Sequence, residues 1–248
     1  MELILDNWEG SLNIDEPTLL EAGIRADIIR LNDMNGGHHV DEYFAVQWIQ
    51  SEMFLRAPYF VYNPWVSGAE NYEWCIDHLP IKGVTRLMID IEVRKDGYSP
   101  ETYADEVATF FDLIWDNFPL AFPYTGGGYI GLLSHWIGGD YAWARYPYTF
   151  YPPTREAWTW EKLIQKLGVY GYAPDPYKKC PGIPKIWQFT GDRLIMPGCA
   201  NRPIDINAWN GTLAELETWW GAKMPEPPIS KLDILWREAQ KAGWDLTP

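Results

Sequence analysis

The sequence predicts an α/β barrel, and three features predict it. Short apolar runs with strand character alternate with amphipathic helical segments through the first half, the order that builds a parallel sheet covered by helices. Polar groups recur where those runs end, at Asp6, Asp33, Tyr62 and the pair Asp90 and Glu92, as suits a barrel whose chemistry lies at the C-terminal rim of its strands. A length of 248 residues is ordinary for one such barrel and long for a single sandwich. Residues 1–222 are therefore assigned to one barrel domain, and residues 223–248 to a Pro-rich linker and a C-terminal helix.

The elements follow in order. Residues 2–6, ELILD, form a short apolar strand ending in Asp6. In EPTLLEAGI, Pro17 suits a first helical turn and Gly23 a stop. ADIIRL (26–31) is the next strand, and DEYFAVQWIQSEMF (41–54) a helix with Phe44, Trp48 and Ile49 on one side. APYFVYNPW (57–65) is strand-like, AENYEWCIDHL helical, and TRLMIDIEV a strand. The strongest helix is ETYADEVATFFDLIWDNF, where Val107, Phe110, Phe111, Ile114 and Trp115 keep the spacing of one buried stripe. LAFPYTG (120–126), DYAWARY (140–146) and KIWQFTG (185–191) are further strands, with helices thinning after residue 140. In the tail, MPEPPIS is extended, and KLDILWREAQKAGW has Leu232, Leu235, Trp236 and Ala239 at helical spacing behind a capping pattern at Ser230 and Asp233.

Composition narrows the partners. With 34 acidic against 20 basic residues the formal net charge is −14, which repels nucleic acid and anionic lipid at long range. No run is long enough for a membrane helix, so no membrane insertion is expected. The chain begins MELILDNWEG, without a basic leader or an apolar signal core, so export by a leader removed earlier, or release of the phage type, are the routes left open. The 15 Trp and 15 Tyr supply core, and flat rings with polar edges also suit sugar faces in a groove. Cys75, Cys180 and Cys199 lack metal-ligand spacing, and free thiols are favoured over a Cys180–Cys199 disulfide across the hairpin they bracket.

One stretch resists a packing explanation. LMIDIEVRK (87–95) sets two carboxylates two residues apart in an apolar run, although burying either charge without a partner costs several kcal/mol. Strand alternation puts Asp90 and Glu92 on one face, after Met88, with Ile89, Ile91 and Val93 on the other. Such a pair suits acid catalysis. A free Glu, with a pKa of about 4.3, is mostly ionised at neutral pH, and a second carboxylate in an apolar mouth raises the pair's proton affinity. On this reading Asp90 holds the charge and Glu92, nearer the rim, donates the proton.

These residues resemble a known family. LDNWEG is similar to the first-strand Asp motif of the glycoside hydrolase family 25 lysozymes, the Chalaropsis-type muramidases, RLMIDIEV to their Asp-x-Glu strand, and YAWARY to their later W-x-A-x-Y strand. IWQFTGDRLIMPGCANRPIDINAWNG is similar to their closing Trp-Gln-aromatic strand, Gly-containing turn and Asp-x-Asn element. The matches run in order across roughly residues 3 to 213, departing from the pattern around FVYNPW and LNDMNGGHHVDEYF. The resemblance implies a TIM-like barrel of eight strands with fewer helices. It implies a lysozyme cleaving the β-1,4 bond between N-acetylmuramic acid and N-acetylglucosamine of peptidoglycan, outside the cell or at its wall, without cofactor or metal and as a monomer. It assigns the catalytic acid to Glu92, an assisting carboxylate to Asp90, and further site carboxylates to Asp6 and Asp205. Tyr62, Asp33, Tyr124, Trp143, Tyr146, Trp187 and Gln188 become substrate contacts.

For the second catalytic role, a separate nucleophile such as Asp6 or Asp205 competes with attack by the substrate's own 2-acetamido group oriented by Asp90; assistance is favoured because Asp90 cannot turn away from Glu92. A catalytically silent glycan-binding barrel of a phage or surface assembly needs the groove but no protonatable Glu92, and a hydrolase of another acetamido polysaccharide is favoured by the acidic net charge, which steers poorly to an anionic wall. His38 and His39 lack a third ligand, so an exposed loop is expected there rather than a metal site. The carboxylate cluster is not expected to hold Mg²⁺ or Ca²⁺, since no phosphate-cradling loop accompanies it, and TGGGYIG (125–131) lacks a dinucleotide fingerprint.

Overall fold

A computed structural model describes residues 2–8, 14–34, 37–79, 84–93, 95–126, 140–144, 158–159, 184–199 and 204–222. Its strands are β1 (Leu3–Asn7), β2 (Ile24–Arg30), β3 (Asn32–Asp33), β4 (His39–Val40), β5 (Leu55–Val61), β6 (Arg86–Asp90), β7 (Leu120–Gly126), β8 (Ala142–Ala144), β9 (Trp158–Thr159), β10 (Ile186–Ile195) and β11 (Ile204–Trp209). The described helices are α1 (Glu16–Glu21), α2 (Phe44–Gln50), α3 (Gly68–His78), α4 (Pro100–Asn117) and α5 (Leu213–Trp220).

Eight strands close a barrel in the order β11, β1, β2, β5, β6, β7, β8, β10, with β10 returning to pair β11. Seven run parallel. The eighth, β11, is antiparallel to both neighbours, because the segment from Ile195 to Ile204 is too short for a parallel crossover. The fold is thus the predicted TIM-like α/β barrel, with fewer helices than strands among the described residues. β9 adds to the edge of β10, and β3 with β4 forms a separate hairpin beyond the end of β2.

Alternation along the strands divides the core into two groups. Inside the barrel lie Ile4, Ala26, Ile28, Ala57, Tyr59, Met88, Phe122, Tyr124, Ala142 and Ile186. Outside, Leu5, Ile29, Phe60, Leu87, Ile89, Trp143 and Trp187 face the covering layer. α4 supplies much of that cover, burying Val107, Phe110, Phe111 and Ile114, each contributing about 1.5–3 kcal/mol by leaving water. Its start is set by Ser99, which accepts from Thr102 N at 3.1 Å, and by Pro100 in the first turn. Trp115, expected in the buried stripe, is 38% exposed at its edge. α3 packs on α4 through Gly68, where a Cβ would stand 2.1 Å from the Glu106 carbonyl oxygen, so only glycine permits this approach.

Several local expectations change. Ile49 is 70% exposed, and α2 instead buries Phe44 and Gln47, because the helix is short and its register turns Ile49 to solvent. Val93, expected opposite the acids, packs with the inner group, since regular strand geometry ends at Asp90 and the alternation stops with it. His38 is not on an exposed loop. It stacks on Trp74 at 4.7 Å and hydrogen-bonds Asn32 Nδ2 and Asn71 Oδ1 at 3.0 Å each, tying β3 to α3, while His39 is exposed. α5 was not anticipated, although Thr212 and Glu215 form a capping box and Gly221 ends the helix at φ 75°. It closes the N-terminal end of the barrel, where Arg86 lies 3.7 Å over Trp219 and donates to its carbonyl. Cys75 and Cys199 are free and buried. Cys180 and the C-terminal segment 223–248 lie outside the described residues.

Candidate active site

The inner positions nearest the C-terminal rim carry the polar groups. β1 contributes Asp6, β2 Arg30, β5 Tyr59, β6 Asp90, β7 Tyr124, β10 Gln188, and β11 Asp205 and Asn207. The register aligns them: Asp6 is paired with Asp205, Asp90 with Tyr124, and Gln188 with Asn207. Asp205 starts its strand, yet it reaches the rim where the parallel strands end, because β11 runs the opposite way. The fourth carboxyl, Glu92, lies two residues beyond β6.

The segment bearing Glu92 is pinned from both sides. Ile91 N donates to Tyr124 O at 2.9 Å and Thr125 Oγ1 donates to Ile91 O at 3.0 Å, while Tyr103 Oη of α4 donates to Val93 O at 2.9 Å. Space for the carboxyl is left by Gly126, where a Cβ would stand 2.9 Å from Glu92 Oε1. Glu92 opens to the mouth as an exposed residue, but protein crowds its carboxyl.

Electrostatics raise both members of the pair. Burial pushes Asp90 well above the ordinary carboxylate range, with Glu92, Asp6 and Asp205 adding to the rise and Arg30 opposing it. Its Oδ1 is buried without a hydrogen-bond partner among the described residues, a costly arrangement for an anion and a milder one for a neutral acid. Glu92 is raised by burial and held down by a hydrogen bond with Tyr124. Asp90 stands deeper among the other acids, and Glu92 nearer the mouth. The two titrate as a pair.

Asp6 is buried and accepts from Gln188 Nε2 at 3.1 Å and Asn207 Nδ2 at 3.4 Å. Gln188 in turn accepts from Tyr124 Oη at 2.6 Å. Arg30 Nε donates to Asp41 Oδ2 at 2.7 Å, which anchors the cation beside the acids. Tyr59 faces them as well: burial, Asp6, Asp90 and Asp205 raise its hydroxyl well above the usual range, with Arg30 pulling it down.

Of the expected substrate contacts, Tyr124 and Gln188 lie inside at this rim, and Asp33 sits on the β3–β4 hairpin beyond β2. Tyr62, Trp143 and Trp187 do not line the mouth. Their position in the strand turns them outward, where each is at most 2% exposed in the covering layer, and Tyr62 packs edge-on against Tyr103 and Phe110. Tyr146 lies outside the described residues. Arg30, Tyr59 and Asn207 were missed, although each shares inward parity with a residue already singled out or with the inner apolar positions of its strand. Among the described residues, no group of three or more His, Cys, Asp or Glu side chains is arranged to hold a metal ion.

No family model matches the chain, and no curated protein matches it in sequence. Solved structures do match. A muramidase from Trichobolus zukalii is similar at TM-score 0.62 and 15% identity, over 88% of this chain and 98% of its own. A bacterial lysozyme from Streptomyces coelicolor gives 0.65 and 15%, over 88% and 96%. A family 25 glycosyl hydrolase from Bacillus anthracis gives 0.63 and 16%, over 88% and 93%. At such identities the likeness establishes the fold, and the chemistry rests on the chain's own residues.

Proposed function

We propose that the chain is a lysozyme-type muramidase that hydrolyses the β-1,4 bond between N-acetylmuramic acid and N-acetylglucosamine in peptidoglycan and so acts at the cell wall. The observation that carries this reading is the convergence of Asp90 and Glu92, both raised, at one rim with Asp6 and Asp205. The solved structures it resembles, named as muramidase and lysozyme, support the same reading.

The pair keeps a proton to higher pH than isolated carboxyls would. Glu92, opening to the mouth, gives its proton to the glycosidic oxygen as the bond from that oxygen to the anomeric carbon breaks. The carbonyl oxygen of the 2-acetamido group attacks the anomeric carbon, and Asp90 accepts the acetamido N–H, which favours ionised Asp90 and leaves the pair's proton on Glu92. Asp6 and Asp205 stabilise the positive charge that develops. Glu92, now a carboxylate, takes a proton from the water that opens the cyclic intermediate.

The test is a turbidity assay on purified cell walls with identification of the new reducing end, comparing the native protein with Glu92→Gln. Muramic acid should appear at the new end with the native protein, and the variant should stay folded and lose most turnover. Near-normal lysis by Glu92→Gln, or cleavage confined to chitin-like polymers, would overturn the reading.

A further inference from the structure

We infer that His38 is a positioning residue for substrate: as the neutral imidazole with its hydrogen on Nε2 it latches the β3–β4 hairpin beside the barrel mouth, and it releases the hairpin when protonated. The functional half rests on the proposed reading, in which Asp33 of this hairpin contacts the glycan.

The neighbours of the ring fix the role of both its nitrogens. Asn32 is fully buried; its Oδ1 accepts from Val61 N at 2.8 Å and its Nδ2 donates to Val61 O at 3.0 Å. Its amide therefore cannot turn round without setting oxygen against oxygen and N–H against N–H. The second Nδ2 hydrogen is left for His38 Nδ1, 3.0 Å away, which must offer a lone pair. Asn71, equally buried, gives both Nδ2 hydrogens to the carbonyls of Asn63 and Ser67 at 2.8 and 2.9 Å, and its Oδ1 accepts from Asn63 N at 2.9 Å. That oxygen lies 3.0 Å from His38 Nε2, which must donate. One tautomer satisfies every partner. A second hydrogen, on Nδ1, would meet the Asn32 N–H where an acceptor is needed, so protonation breaks this contact.

The groups packed on the ring act in the same sense. Trp74 of α3 stacks on it at 4.7 Å with His78 stacked behind at 4.1 Å, and Phe60 of β5 lies at 5.0 Å. Burial holds the His38 pKa below its ordinary 6.5, the Asn71 bond opposes this, and His78 and His39 add to the fall. The latch thus survives mild acid and fails below it. Asn32 is itself fixed to β5, so the part that His38 holds is the return side of the hairpin, where His39 pairs with Asp33. Asp41, which anchors Arg30, is held separately: its Oδ1 accepts from Tyr43 N at 2.9 Å and its carbonyl from Phe44 N at 3.1 Å. Release therefore frees the Asp33 arm and leaves the acids in place.

Nitrogen-15 NMR of protein labelled at the histidine rings, with the His38 signals assigned by their loss in His38→Phe, reads the tautomer directly. At neutral pH Nδ1 should be bare and Nε2 protonated, with a midpoint below 6.5. Amide hydrogen exchange of the native protein, corrected for the pH dependence of exchange itself, should show the β3–β4 pair losing protection as pH falls through that midpoint, while Leu79 N of α3 keeps its own. In His38→Phe, and in His38→Leu in case the first misfolds, KM for solubilised glycan strands should rise about fivefold or more at neutral pH with kcat changed less than about twofold, and the acid-side rise in KM should disappear. A hydrogen on Nδ1 at neutral pH, a midpoint at or above 6.5, hairpin protection indifferent to the midpoint, or native KM in both variants would overturn the latch. The tautomer and exchange measurements need no turnover, so absence of wall lysis by the native protein would defeat the proposed function and leave them decisive for the latch.

Discussion

Asp6 and Asp205 are register partners on antiparallel strands, although nearly the whole barrel lies between them in sequence. Strand direction produces this meeting. Asp6 is late in a strand running toward the rim, and Asp205 is early in one running away from it. The two carboxyls, with Asp90, form an acidic floor beneath Glu92.

If that floor stabilises charge developing at the anomeric carbon, its benefit is realised mainly in the transition state. Asp205→Asn should then lower kcat at least about tenfold, roughly 1.4 kcal/mol of lost stabilisation, with substrate binding and melting temperature little changed. Both are measured on one preparation. A fall in melting temperature without a fall in kcat would make Asp205 structural.

Asp90→Asn tests the pairing. Glu92 contributes to the elevated pKa of Asp90, and the coupling is mutual. With a neutral amide beneath it, Glu92 should lose its proton more readily. The basic limb of the kcat/KM profile should move down by about one pH unit, with a lower plateau because the acetamido N–H loses its anionic acceptor. An unmoved limb would leave burial alone as the cause of the elevated Glu92.

Much of this site was legible in LMIDIEVRK, because strand parity is a local property: two acids at i and i+2 share a face whatever surrounds them. Parity at Asp6, Tyr124 and Gln188 was equally local. Tyr62, Trp143 and Trp187 were misplaced because aromatic character suits a sugar groove and a covered outer layer alike, and only the registered sheet says which way each faces. His38 was misjudged for a related reason. Its partners Asn71 and Trp74 come from α3, far along the chain, and no spacing within LNDMNGGHHV reveals them. The contribution of Asp6 and Asp205 to the raised Asp90 was also hidden, since they arrive from strands at the two ends of the barrel sequence.

Gly126 ends β7 where Glu92 needs room. Gly126→Ala would set a methyl 2.9 Å from Glu92 Oε1, while the next neighbour, Ala144 Cβ, stands at an ordinary 3.9 Å. The carboxyl rather than the backbone should yield. We expect kcat to fall about tenfold or more, with little change in melting temperature, since misplacing an acid weakens proton transfer without unpacking the core. Native kcat in the variant would show that Glu92 works from another position.

Asp27 faces the opposite side of β2 from the acid cluster and gives a stability signature independent of catalysis. It is wholly buried, accepts from Asn7 Nδ2 at 2.7 Å and from Ser51 Oγ, and burial pushes its carboxyl up to about 7 against these two hydrogen bonds. Asp6 and Glu16 add to the rise. In the unfolded chain the same carboxyl ionises near its ordinary value of 3.8. Between these values the folded state holds more protons than the unfolded state, so stability falls as pH rises. The contribution is fully present below about 4 and is lost as pH passes about 7. Asp27→Asn has no such titration. Its melting temperature relative to the native protein should therefore climb steadily from pH 4.5 to 7.5 and then level. Three pH units correspond to on the order of 4 kcal/mol, or roughly 10 °C for a domain of this size. Thermal melts of both proteins across that range check it, and a difference that stays constant would mean that Asp27 is ionised in the folded state throughout.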